Sequence, residues 1–373
     1  MTYPRLQPGV KQLLIGAFLL SLPLWGQYGF KIEKQLACTS VKDQQQTGSC
    51  WSYTTISFLE SELLRLGKPP VELSEMYMVR TIYQDKARNY ILRQGKANFS
   101  QGALSHDVTR AWRLAGAMPQ EAYDGKLPGS PIHDHGEMEA VLKGLLDGVL
   151  ASKKPSAQWM TAFRNVLDSY MEAVPERFIF QRQEHTPQSF AASLGIDPDD
   201  YLTFTSFSHH PFYRTFVSEI PDNYSNGLYY NLPLDELQAL ADHALANGYT
   251  IAWDGDVSEK GFAAGRGLAV LPADPEAKGI FDAPVKELSV NQSNRQQAFE
   301  NFSTTDDHLM HITGWATGAD NTRYYLVKNS WGAIGPDQGY LYMSAPYFRM
   351  KTVGIMVHRD AVPEDIARKC GLL

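Results

Sequence analysis

Three residues stand out for the chemistry their types and settings allow: Cys50, His311 and Asn329. Cys50 follows Gln44-Gln45-Gln46-Thr47-Gly48-Ser49 and opens a series, Ile56, Leu59, Leu63 and Leu66, at helical spacing. A thiol at a helix N-terminus has its thiolate favoured by the partial positive charge there, which suits a nucleophile. Against this stands the usual state of a lone cysteine, a buried core residue. His311 lies in Met310-His311-Ile312-Thr313-Gly314-Trp315, which reads as a strand. Imidazole is the natural base and acid near neutral pH, and beside a thiol it supports attack on a carbonyl. Taken alone, it reads first as a hydrogen-bonded core histidine. Asn329 ends Tyr324-Tyr325-Leu326-Val327-Lys328, where an amide can fix an imidazole's tautomer and Trp331 can shield their bond from water. By itself, such an asparagine is an ordinary turn residue.

The elements that must position these groups come from different parts of the chain. Gly67, Pro69 and Pro70 stop the helix that Cys50 begins. The stretch from about 128 to 200 has helical spacing in Met138, Val141, Leu142 and Leu145, and in Trp159, Phe163, Val166, Leu167 and Tyr170. It is read as a helical insertion with few strand signals. A helix over 234–247 then leads to a strand over 249–253. Further strands are expected over 311–315, 324–328 and 340–343, separated by Gly318 to Asn321 and Gly335-Pro336. A half that begins with a helix and a sheet-rich half define an α+β architecture, and a cleft between them would join distant segments.

Together, Gln44, Gly48-Ser49-Cys50-Trp51, His311 and Asn329-Ser330-Trp331-Gly332 resemble the papain-like cysteine peptidases in order and local context. Thr47 stands where the secreted papains carry a disulfide-forming cysteine, and this departure points to the bleomycin hydrolase and aminopeptidase C branch. Tyr230-Asn231-Leu232-Pro233, Ile251 to Val257, Asp306 to His311 and Gly339 to Met343 add to the likeness, which is strong over 31–125 and 228–358 and weak between. Cys50 and His311 are 261 residues apart, against roughly 130–150 in papain, and the insertion accounts for the excess. The resemblance implies a thiol peptidase of papain-like fold with Cys50 as nucleophile, His311 as acid and base, and Asn329 orienting the imidazole. It further implies that the Gln44 amide and the Cys50 N–H hold the oxyanion, and that Gly102, in Ser100-Gln101-Gly102-Ala103, pairs with substrate backbone beside Trp331. His308 is the competing base, and the resemblance and the following strand favour His311. Asp306-Asp307 reads as a solvated turn.

The implied substrate is a peptide, cut as an aminopeptidase cuts; an endopeptidase of the same fold and a non-catalytic peptide-binding protein are the alternatives. Self-capping by the chain's own end is left open, because the tail from Ala361 to Leu373 does not match the branch's usual terminal sequence. No cofactor is expected. A metal site at His133, His135, His209 or His210 is disfavoured because no cysteine or carboxylate array accompanies them. With 34 Lys plus Arg against 41 Asp plus Glu, a net charge of −7, the chain lacks the basic excess that nucleic acid demands. Hydrophobic residues make up 43% of the 373, ample for a packed core, and three cysteines are too few for a disulfide scaffold. Whether Cys38 and Cys370 pair is open, as is a homo-oligomer. Arg5 and Lys11 precede an apolar run from Leu13 to Trp25, which reads as an export signal over 1–26 followed by one peptidase domain over 27–373. At 13 residues the run is short for a membrane span, which needs roughly 20. A periplasmic or extracellular location is expected, with tethering by an uncleaved signal anchor as the alternative.

Overall fold

The computed structural model describes residues 28–373, so the expected export signal lies outside the described residues. The chain begins with β1 (Lys31–Gln35) and the helices α1 (Cys50–Arg65), α2 (Glu75–Leu92) and α3 (Ser105–Ala115). Next come α4 (Gly136–Ala151), α5 (Trp159–Met171), the hairpin β2 (Phe178–Phe180) and β3 (Gln183–His185), and α6 (Pro187–Leu194). The sheet-forming part follows with β4 (Tyr201–Thr205), β5 (Thr215–Val217), β6 (Leu228–Asn231), α7 (Leu234–Ala246), β7 (Ile251–Gly255), β8 (Phe262–Ala263) and β9 (Leu268–Ala269). It is completed by α8 (Gln292–Glu300), β10 (His308–Thr317), β11 (Arg323–Lys328), β12 (Tyr340–Ser344), α9 (Ala345–Lys351), β13 (Thr352–His358) and α10 (Glu364–Cys370).

Between 128 and 200 the structure has three helices, and also the β2–β3 hairpin. That hairpin turns through Gln181 and Arg182, both with positive φ, so the glycine or asparagine that usually signals such a turn is absent. The main sheet runs β5-β6-β4-β13-β7-β10-β11-β12-β9-β8, with β1 added along β10.

Two cores flank α1. One, on the helical side, gathers Met78, Val79, Leu142, Phe163 and Leu167. The other, on the sheet side, gathers Leu237, Leu240, Trp253, Met310, Val327 and Phe348. Packed between α2 and α3 on one side and β10 and β7 on the other, α1 is buried along almost its whole length, polar residues included. Glu60 accepts hydrogen bonds from the Leu73 N–H (2.8 Å) and from Thr39, while Ser57 reaches across to β10 and β11. A buried polar group costs about 1–3 kcal/mol when unpaired, so these partners are a condition for placing such residues inside.

Side chains alternate across β10. Leu309 joins the helical core, whereas Met310 and Ile312 join the sheet core. Successive residues of a strand face opposite ways, so His308 and His311, three apart, lie on opposite faces. The strand starts at His308, three residues before the expected 311–315 segment.

Candidate active site

Cys50 is the first residue of α1, as the sequence implied. Its sulfur meets the backbone N–H groups of Leu309 and Trp51, which places it against β10 at the residue after His308. The loop before it is tied down at several points. Gln101 accepts from the Gly48 N–H (2.6 Å) through its side chain and from the Trp51 indole (3.0 Å) through its backbone. Gln46 exchanges backbone hydrogen bonds with His133 and His135.

His308, not His311, meets Asn329. His308 Nε2 lies 2.8 Å from Asn329 Oδ1, and the imidazole stacks on Trp331 with ring centroids 4.6 Å apart. Asn329 Oδ1 also accepts from the Ser330 N–H (2.8 Å), which fixes the amide's orientation. An acceptor facing Nε2 requires the proton on Nε2, so Nδ1 is the basic atom. The expected assignment of His311 is therefore corrected. His311 Nδ1 lies 2.9 Å from Ser57 Oγ, its ring meets Phe58 edge-on, and the Lys328 ammonium donates to the same serine at 2.7 Å. His311 is the buried core histidine of the alternative reading, with 1% of its surface exposed.

Gln44 lies beside the same turn. Its backbone N–H donates to Ser330 O at 2.8 Å, its Oε1 accepts from Ser330 Oγ at 2.6 Å, and its Nε2 donates to Thr47 O at 2.7 Å. One N–H of Nε2 is left over from these contacts. Gly332 follows Trp331 with φ of 74°, and a Cβ there would come within 3.3 Å of Asp43. The turn that carries Asn329 and Trp331 thus favours glycine at this position. Gly102 borders the nucleophile's loop through its neighbour Gln101, and its carbonyl accepts from the buried Lys86 ammonium.

The electrostatics differ from the simple expectation of a helix-activated thiol. Burial pushes the Cys50 thiol up to about 12; the Leu309 and Trp51 N–H groups oppose this, and the Asp306 and Asp254 charges add to it. Burial lowers His308 to about 4, with the Asn329 bond opposing. Both shifts favour the neutral thiol and imidazole. The thiolate–imidazolium couple therefore relies on the attraction between its own charges and on the donors aimed at the sulfur.

Asp306 departs from the expected solvated turn. Its carboxyl meets that of Asp254, and both are raised mainly by burial. This contact was invisible in the sequence because it joins β7 to the segment before β10.

All three cysteines are free thiols: Cys38 lies 3.0 Å from the Tyr340 hydroxyl, and Cys370 packs in the sheet-side core. Among the described residues, one group could offer three metal ligands: His209, His210 and Glu219. Gln296 Nε2 lies 2.9 Å from His209 Nδ1, and Gln296 Oε1 is occupied by the Ser208 N–H. That arrangement puts the His209 proton on Nε2, facing Glu219, and leaves no lone pair there for a metal.

The Peptidase C1-like family matches residues 170–371, and papain family cysteine proteases match residues 29–96. Aminopeptidase C of Lactococcus lactis subsp. lactis is 24% identical over 87% of this chain and 82% of its own length. Aminopeptidase G of Lactobacillus delbrueckii subsp. lactis is 25% identical over 48% of this chain, and bleomycin hydrolase of Gallus gallus is 26% identical over 42%. The match spans 40% of aminopeptidase G and 34% of that bleomycin hydrolase. The crystal structure of PepW from Lactobacillus rhamnosis HN001 superposes with a TM-score of 0.73 at 17% identity, over 92% of this chain and 85% of that one. The shared fold is the papain-like one.

Proposed function

The chain belongs to the peptidase C1-like family, and on that premise we propose that it is a thiol aminopeptidase acting on peptides. The observation that carries this reading is the His308–Asn329 pair at 2.8 Å, set beside a cysteine at a helix N-terminus. Relatives named aminopeptidase C and aminopeptidase G support removal of N-terminal residues over internal cleavage.

In this reading Cys50 Sγ attacks the peptide carbonyl carbon as its proton passes to His308 Nδ1. The free N–H of Gln44 Nε2 and the Cys50 N–H, one of the donors α1 leaves unpaired at its start, hold the oxyanion. Collapse of the tetrahedral intermediate breaks the C–N bond, and His308 gives its proton to the leaving amine. Water then attacks the thioester with His308 as base, releasing the acid and restoring the thiol. Asn329 and Trp331 keep the imidazole in position throughout.

Export remains part of the reading, supported by the apolar run from Leu13 to Trp25 behind Arg5 and Lys11. No described helix is long and apolar enough to cross a membrane. Fractionation of cells expressing the full chain tests the location, and recovery only from the cytosol would refute it. The activity is tested by labelling with an epoxide or iodoacetamide together with hydrolysis of leucyl-7-amido-4-methylcoumarin. Labelling at Cys50 well above the rate of a free model thiol, with hydrolysis lost in Cys50→Ala, is the expected result. A Cys50 no more reactive than the model thiol would sink the enzymatic reading.

A further inference from the structure

Three carboxyl groups from separate segments converge beside Cys50 and Gly102, and no cation in the described structure pairs with any of them. Asp254, on β7, is 5% exposed, and neither of its oxygens receives a hydrogen bond from a protein donor; its carboxyl meets that of Asp306. Asp306, two residues before His308, likewise has Oδ2 without a donor. Asp222 lies over Gly102, where a Cβ would fall 1.8 Å from its Oδ2. Its Oδ1 accepts from Asn98 at 2.9 Å, and its charge is felt by both other carboxyls. The nearest cation is Lys86, whose ammonium is engaged by the carbonyls of Ser100 and Gly102.

Such a set is costly without a donor or a counter-charge. Buried carboxyls are ordinarily paired or hydrogen-bonded, and two that meet can do no better than share one proton. A primary ammonium supplies three donors and a positive charge, which answers both deficits. The position gives the source of that ammonium. Asp254 sits opposite Leu309 in the β7–β10 register, Leu309 N–H meets the Cys50 sulfur, and Asp306 precedes His308 by two residues, so a group held by them lies close to the bond under attack. Asp306 also lines a cavity of about 570 Å3 walled by Ile220, Pro221, Phe299 and Phe302, which can take an apolar side chain next to it. The segment 364–373 packs elsewhere: α10 lies in the sheet-side core, Lys369 pairs with Glu236 of α7, and Leu373 is 77% exposed.

We propose that Asp222, Asp254 and Asp306 bind the free α-ammonium of the substrate and so confine cleavage to its N-terminal end. The proposal rests on the thiol aminopeptidase reading and names the group that gives it direction. The test compares leucyl- with N-acetyl-leucyl-7-amido-4-methylcoumarin as substrates of the full chain and of Asp254→Asn and Asp222→Asn. Wild type should favour the free amine at least a hundredfold in kcat/KM. Each variant should lower that ratio at least tenfold, chiefly through a higher KM for the free-amine substrate. A thermal melt and far-UV spectrum matching wild type show that a variant is folded, and Asp222→Asn, at a half-buried position, guards against a core defect in Asp254→Asn. A wild-type preference that persists in both variants overturns the proposal and leaves the aminopeptidase reading intact. No preference in wild type defeats the aminopeptidase reading itself. An N-acetyl-arginyl-leucyl substrate adds a further arm. If the variants lose activity only there, the cluster reads a side-chain cation and the α-ammonium assignment falls.

Discussion

His308 and His311 stand three residues apart on β10 and live in opposite environments. His308 faces Trp331 and Asn329, and both its nitrogens have a use: Nε2 donates to the amide and Nδ1 remains basic. His311 is pressed against α1, bonded to Ser57 and close to the Lys328 charge. Burial lowers the proton affinity of both, and at His311 the neighbouring ammonium adds to the effect. Only His308 has an amide that favours its charged form. A histidine becomes a catalytic base through partners that can bear the proton's arrival, and the residue type by itself does not distinguish the two.

Replacing each histidine should break this comparison most sharply. His308→Ala should lower kcat about 10⁴-fold, the scale seen when a member of such a constellation is lost. His311→Ala should stay within about tenfold of wild type in kcat, since general acid–base work alone is worth 10²–10⁴. Steady-state kinetics on leucyl-7-amido-4-methylcoumarin decides it, and the reverse pattern would return the catalytic role to His311. Next in size, Asn329→Ala should cost roughly 10–100-fold in kcat/KM by freeing the imidazole's orientation. Its pH profile should also shift, because the Asn329 bond raises the proton affinity of His308. An unchanged profile would argue for a purely structural asparagine.

A stability measurement sharpens the other side. His311→Phe removes the acceptor of the Ser57 O–H, whose oxygen keeps only the Lys328 donor, and leaves that buried O–H unpaired, so the urea midpoint should drop by the equivalent of about 1–3 kcal/mol. The smallest effect concerns pH. Both histidines have their folded-state proton affinity depressed below the unfolded value of about 6.5. Below that pH the unfolded chain takes up protons that the folded chain refuses, so stability falls as pH drops from about 6.5 through 4. His311→Gln should show a shallower loss over that window in thermal melts taken at steps of pH. An equally steep loss would show that His311 is not among the groups responsible.

Much of this was legible in the sequence. The start of α1 at Cys50, the strands β11 and β12 and helix α7 follow from spacing and from glycine and proline stops. The structure brings Asn329 and Gln44 beside each other, with Ser330 bridging them. The two histidines were not separable because the strand's start was misplaced. With β10 beginning at 311, His308 belonged to a loop; with β10 beginning at 308, alternation sends the two imidazoles to opposite faces. The polar residues buried on α1 were equally hidden. Their partners, Thr39, Leu73 and Lys328, are distant in sequence, and helical periodicity describes only one buried face.

Sequence alone implied the reaction type through the resemblance that a thiol, an amide and a histidine-bearing strand carry in this order and local context, and local rules suffice to place a cysteine at a helix start. Tertiary structure decided which imidazole meets Asn329, where Asp254 and Asp306 meet and what covers Gly102. Each of these depends on strand register and on side chains brought together from segments far apart, and no local pattern encodes a contact between β7 and the residues before β10.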